Sequence, residues 1–173
     1  SFASGEIDSV KGKLSMAVKV NMITAFPSAM GLSVLAEPVI RLLFPSSDYK
    51  TGGLMLITGS VCIIFYALST VTNGVLQSID KMGLPVIHSL ISLVIHIGII
   101  TGLLLWTDMG VFALVAGNVT YPVLVCILNG RSLKKYLGYK QEVTRTFCVP
   151  LISSFVMGIV TFAVYYLLFM LTH

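Results

Sequence analysis

Polar side chains recur at helical spacing inside runs that are otherwise apolar, and they carry whatever chemistry this chain has. Tyr66, Ser69, Asn73 and Gln77 form one stripe, and His88, Ser92 and His96 repeat every four residues in another. Asn118 and Tyr121 mark a third run. Asn21, Thr24, Ser28 and Gly31 mark a fourth, and Ser154, Gly158, Thr161 and Tyr165 a fifth. A helix facing lipid can be wholly apolar, so such stripes report faces turned toward protein or a polar cavity. Their chemistry is hydrogen bonding to a ligand or to a neighbouring helix. Asn73 and Gln77, two amides one turn apart, are the strongest candidates for lining a cavity, with Tyr66 and Asn118 beside them. Glu37 and Arg41 are spaced i,i+4 in the favourable order. They read either as a self-satisfied pair or as an anion site in which Glu37 holds Arg41. His96 lies near the middle of its run, and an imidazole changes charge near neutral pH, so it is the ion-coupling candidate against simple packing. Gly98 and Gly102 read as a close-packing Gly-x-x-x-Gly pair.

Enzyme signatures are missing from this sequence. It has no Gly-rich phosphate loop, no His-Glu-x-x-His and no nucleophile elbow. No enzymatic activity, cofactor or metal is expected. Cys62, Cys126 and Cys148 show no Cys-x-x-Cys spacing and read as small buried hydrophobes.

The elements that must position these residues are transmembrane helices. A hydrophobic fraction of 56%, a charged fraction of 10% and a mean hydropathy of +0.95 exclude an ordinary soluble domain. Five apolar runs, at 20–43, 54–76, 84–106, 109–128 and 147–171, each approach the ~20 residues that cross a bilayer. Backbone groups in lipid must be paired within the segment, so each run is a helix, and Glu37 and Arg41 continue the first. Pro85 opens the third, and Pro27 and Pro122 sit where they should bend theirs. Residues 1–19 form an amphipathic lead, with Ile7, Val10, Leu14 and Val18 on one side, suited to the cytoplasmic interface. A cleavable signal peptide, suggested by Val34-Leu35-Ala36, fits less well because polar residues precede the run.

Basic residues fill every second gap. Lys11, Lys13, Lys19, Lys81, Arg131, Lys134, Lys135, Lys140 and Arg145 fall on one side, counting 129–146 as a loop; only Arg41 and Lys50 fall on the other. Nine against two puts the N-terminus inside and the C-terminus outside. The pI near 9.0 belongs to these short loops, which meet anionic headgroups, and implies no nucleic-acid partner. The fold expected is an all-α polytopic transmembrane bundle. A start at Ser1 and an odd number of spans suggest part of a larger protein.

Three segments resemble a known superfamily. Phe26-Pro27-Ser28-Ala29-Met30-Gly31-Leu32 followed by Glu37-Pro38-Val39-Ile40-Arg41-Leu42-Leu43-Phe44 is similar to a helix of polysaccharide and peptidoglycan-precursor flippases. Asn73 to Lys81 with Pro85-Val86 resembles their corner between two helices, and Gly110-Val111-Phe112-Ala113-Leu114 the start of the next helix. These flippases belong to the multidrug/oligosaccharidyl-lipid/polysaccharide exporter superfamily, and the nearest branch is that of stage V sporulation B-type proteins and lipid II flippases. The resemblance implies two lobes of about fourteen helices in all, of which this chain would supply the ninth to thirteenth. It implies that residues 20–173 are the incomplete C-terminal lobe of a transporter in the bacterial cytoplasmic membrane. Its partners would be an undecaprenyl-linked glycan, membrane lipids and the missing N-terminal lobe. Some relatives bind sodium through Asn and Asp one turn apart on the matching third helix. Residues 94–100 lack that pair, and His96 stands there instead. A multidrug exporter of the same superfamily, or a non-transporting scaffold subunit, are the alternatives.

Overall fold

The structure, a computed structural model, describes residues 2–46, 48–106, 110–139 and 144–172. Among them every regular element is helical: α1 Phe2–Val34, α2 Ala36–Leu43, α3 Tyr49–Ser78, α4 Gly83–Trp106, α5 Val111–Leu137 and α6 Val149–Thr172, the last preceded by a π-helical turn at Thr144–Cys148. The chain is a helical membrane bundle. Three helical stretches are long and apolar enough to cross a bilayer (α3, α4 and Thr144–Leu171), and α1 with α2 makes a fourth if that bent pair is one span.

Residues 20–43 are not one helix. A break at Leu35 turns α2 by 65° from α1, so Glu37 and Arg41 lie on a separate short helix. Pro38 explains the break. Within a continuous helix its ring would clash with the Val34 carbonyl, whereas in the first turn of a new helix its missing N–H costs nothing. At the other end of α1, no break separates the lead from the span. Leu14 and Val18 are buried with Met22, Leu76, Leu133 and Leu137, so the apolar side of the lead is covered by the ends of α3 and α5.

The 129–146 segment also departs from the expected loop. Helix α5 runs on to Leu137, because Leu133 and Leu137 extend its apolar face by i,i+4 steps into that same cluster. It ends at Gly138, whose φ of 60° suits a left-handed cap and whose N–H donates to the Lys134 carbonyl. The α3–α4 corner is tight, as expected. Asp80 takes a positive φ of 62°, and Lys81 N–H reaches back to the Leu76 carbonyl.

The helices pack side by side in the order α4, α5, α3, α1, α6, with α2 lying on α3. No substantial packing joins α4 to α6 among the described residues. The described helices therefore form an open row, and α5 is wedged between two helices that are consecutive in sequence.

Candidate functional site

Three of the five polar stripes converge, on α3, α4 and α5. At their meeting point is Asn129, 0% exposed. Its Nδ2 donates to Thr72 Oγ1 at 3.0 Å and to Asn73 Oδ1 at 2.7 Å. Both amide hydrogens are then used, so the Asn129 carbonyl oxygen accepts, and His88 Nδ1 donates to it at 2.8 Å. The proton of His88 is thus fixed on Nδ1, and Nε2 accepts from Ser132 Oγ at 3.3 Å. Thr72 passes its own hydroxyl proton to the Leu68 and Ser69 carbonyls. This is a directed chain of hydrogen bonds across three helices. In a bilayer each link contributes about 0.6 kcal/mol on average. Asn73, half-buried, is its open end, and Gln77 is exposed one turn further along α3.

A second cluster sits higher on the same helices. His96 Nδ1 donates to the Gly117 carbonyl at 2.8 Å, and its ring meets Tyr121 edge-on at 6.0 Å. Tyr66 reaches Tyr121 from α3 at 6.4 Å. Gly117 makes the approach possible, since a Cβ there would lie 2.3 Å from Ile100 Cγ1 and 3.4 Å from His96 Cε1. Pro122 lies inside α5 and offers no N–H to the Asn118 carbonyl, so this stretch of backbone is short of internal bonds. Asn118 itself is exposed.

Glu37 and Arg41 are elsewhere. They pair at 3.2 Å on the exposed side of α2, and the guanidinium lies 3.9 Å from the centre of the Tyr49 ring. A shallow cavity of about 260 Å³ beside Glu37 is lined by Lys50, Gly53, Leu54 and Ile57. From Gly53 to Asn73 is about 30 Å along α3, so this pair and the Asn73 cluster do not share one cavity. Nearby, Asp48 caps α3. The Thr51 hydroxyl and the Lys50 N–H hold its carboxyl below the ordinary aspartate value.

The remaining stripes bond a neighbouring helix or carbonyls of their own helix. Asn21 Nδ2 donates to the Ala67 carbonyl at 2.6 Å, tying α1 to α3, while Thr24 and Ser28 bond carbonyls of their own helix. On α6, Ser154 and Thr161 do the same, and Gly158 abuts Met30. Gly98 and Gly102 face open space, so close packing falls to Gly117 instead. Cys62 is buried and Cys126 donates to the Phe65 carbonyl, but Cys148 is exposed; all three are free thiols. Among the described residues no cluster of three His, Cys, Asp or Glu is placed to hold a metal.

Sequence reading missed Asn129 and Gly117. Asn129 stands beside basic residues that make 129–146 read as a loop, although its spacing from Val125 and Leu133 continues a buried helical face. Gly117 stands five residues before a helix-interior proline, and that pairing was its signal.

Comparison with known proteins gives the family. The model of the lipid II flippase MurJ matches residues 1–172. The chain is similar to a probable lipid II flippase MurJ of Bdellovibrio bacteriovorus, 27% identical over 122 residues, covering 68% of this chain and 23% of that protein. It is similar to the lipid II flippase MurJ of Bacillus subtilis, 24% identical over 164 residues, covering 92% and 29%. Stage V sporulation protein B of Bacillus subtilis is 23% identical over 150 residues, covering 85% and 28%. The chain spans less than a third of the length of these relatives, and no solved structure matches it. Apolar helices and relatives together make it a multi-pass protein of the cell membrane. It belongs to the MurJ lipid II flippase family.

Proposed function

We propose that this chain is part of the C-terminal lobe of a transporter that moves undecaprenyl-linked glycan intermediates, lipid II among them, across the cytoplasmic membrane. The family match along 1–172 carries the reading. A polar network on helices that otherwise expose Val, Ile and Leu supports it, because such groups are retained in a membrane where they meet a partner or a passing polar group. The lobe would rock against a second lobe of the same polypeptide, exposing a central path alternately to each side. The headgroup would pass along the polar face of α3 while the lipid tail stays in the bilayer.

In this reading the chain spans the membrane five times, N-terminus inside and C-terminus outside. Lys81 and Lys135 both approach the Tyr136 ring, which gathers the α3–α4 corner and the end of α5 at one end of the lobe. The buried Leu14 and Val18 bring the lysine-bearing half of α1 to that end too, as a single cytoplasmic face requires. His96 is the coupling candidate, with its Nδ1–H engaged by the Gly117 carbonyl. A multidrug exporter needs an acid free for organic cations, whereas Glu37 is exposed and paired with Arg41.

The test uses the full-length protein in proteoliposomes with fluorescent lipid II and a fluorescent undecaprenyl-pyrophosphate oligosaccharide. An impermeant reductant then reads how much of each reaches the outer leaflet. Rates no faster than in empty liposomes for both substrates would refute the reading. Flipping should respond to pH in the wild type and lose that response in His96→Gln; superimposable profiles would remove His96 from coupling. Single cysteines at Lys134 and Asp108, in a background without the native three, should react with an impermeant thiol reagent only at 108 in intact cells.

A further inference from the structure

We infer that Asn129, held by His88, is a positioning residue that orients Asn73 so that its amide N–H₂ faces the open side of α3 and takes acceptor oxygens of the passing headgroup. The inference rests on the proposed path along α3 and adds the polarity of one contact on it. That polarity follows from counting donors. Asn129 can give two hydrogens, and Thr72 and Asn73 receive them. His88 Nδ1 supplies the hydrogen that the Asn129 oxygen accepts. Each link therefore points the same way, from His88 through Asn129 into Asn73 Oδ1. Asn73 cannot turn its amide over without placing N–H against N–H, a repulsive and unsatisfied contact where Asn129 is fully buried. What it can present from its half-buried position is Nδ2, which no partner among the described residues occupies. Gln77, one turn on and exposed, stands on the same side.

Two N–H donors suit an oxygen with lone pairs and repel a cation. On a lipid-linked glycan such oxygens belong to the pyrophosphate or to the sugar, and the geometry asks only for an acceptor. Burial of Asn129 and His88 adds rigidity, since a chain of bonds across three helices leaves Asn73 little rotational freedom to lose on binding.

The experiment uses the full-length protein in nanodiscs, with farnesyl pyrophosphate and a neutral monoglucosyl diacylglycerol as probes and farnesol as the tail control. Asn73→Ala should weaken at least one oxygen-bearing probe by roughly tenfold or more, the loss expected for a hydrogen bond to a charged or strongly polar oxygen. Farnesol binding should be unchanged. Asn129→Asp is the sharper variant. It accepts where it formerly donated, so Asn73 should reverse its amide, present its carbonyl outward and weaken the same probe to a similar degree. His88→Asn keeps a donor where Nδ1 stood and should stay within about threefold of wild type, a rescue that mere loss of packing would not give. Loss confined to farnesyl pyrophosphate assigns the phosphate oxygens; loss confined to the glucolipid assigns the sugar. Unchanged binding of both probes in Asn73→Ala or in Asn129→Asp overturns the inference, as does a wild type that binds neither. Wild-type flipping with unaltered variant binding sinks this inference alone. Probe binding that follows these expectations in a protein that flips nothing sinks the proposed function alone.

Discussion

Replacing Gly117 by alanine tests whether α4 and α5 meet as closely as described. The added Cβ would stand 2.3 Å from Ile100 Cγ1 and 2.6 Å from Cδ1, where ordinary contact begins at 3.4 Å. Rotating the end of the isoleucine moves Cδ1 but leaves Cγ1 in place. Moving Cγ1 needs a new χ1, and a β-branched side chain in a helix has one strongly preferred value. The helices must otherwise separate by about 1 Å, which would stretch the 2.8 Å bond from His96 to the Gly117 carbonyl beyond hydrogen-bonding reach. Overpacking costs about 1–3 kcal/mol, and the lost interhelical bond about 0.6. Gly117→Ala should therefore destabilise the full-length protein by about 2 kcal/mol, read from reversible denaturation in mixed micelles. Ile100→Ala removes both offending atoms, so the double variant should recover about 1–2 kcal/mol relative to the sum of the singles. A Gly117→Ala protein within about 0.5 kcal/mol of wild type, or strictly additive variants, would refute the close approach.

Three further predictions follow from the same contacts. Asn129→Leu breaks the bonds to His88, Thr72 and Asn73 and strands the buried His88 Nδ1–H and the acceptors on Thr72 and Asn73, so it should cost about 2–4 kcal/mol in the same assay. Ser92→Ala should be neutral or slightly stabilising, because the buried Ser92 hydroxyl has no partner among the described residues and its removal forfeits no bond. The Asp48 cap should be sensitive to acid. Its folded pKa lies below the ordinary 3.8, so its contribution is present above that pH and is lost as the pH falls through the lowered value. Hydrogen exchange at residues 49–52, corrected for intrinsic rates, should accelerate there in the wild type and show no such titration in Asp48→Asn.

The helices were legible because lipid leaves a chain few ways to satisfy its backbone, and runs such as 84–106 and 147–171 announce themselves. That His88, Ser92 and His96 share one face of α4 was also legible, since residues four apart lie on the same side of a helix. The break at Leu35 was missed although Pro38 marks it, because the apolar composition runs on undisturbed through the bend. Asn129 was missed because the lysines that follow it dominate local composition, whereas its burial depends on α3 and α4, which are distant in sequence. Gly98 and Gly102 looked like the close contact while Gly117 made it. Which glycine meets a neighbour depends on the order of helices across the row, and the local pattern does not carry that order.

That order has a mechanical consequence. Helices α3 and α4 leave a four-residue corner and diverge around α5, so the pair is a V with a wedge in its mouth. The Asn129 network lies close to the vertex, between His88 early in α4 and Thr72 late in α3. Trp106, at the far tip of α4, is 18 residues from His88, about 27 Å at 1.5 Å per residue. With the network as fulcrum, a tilt of about 10° carries that tip roughly 5 Å, while the fulcrum bonds need yield only by tenths of an ångström. The bond from His96 to the Gly117 carbonyl crosses the lever eight residues out, about 12 Å from the fulcrum, and acts as its stay. Cutting that stay should widen the swing of the α4 tip without unseating the vertex.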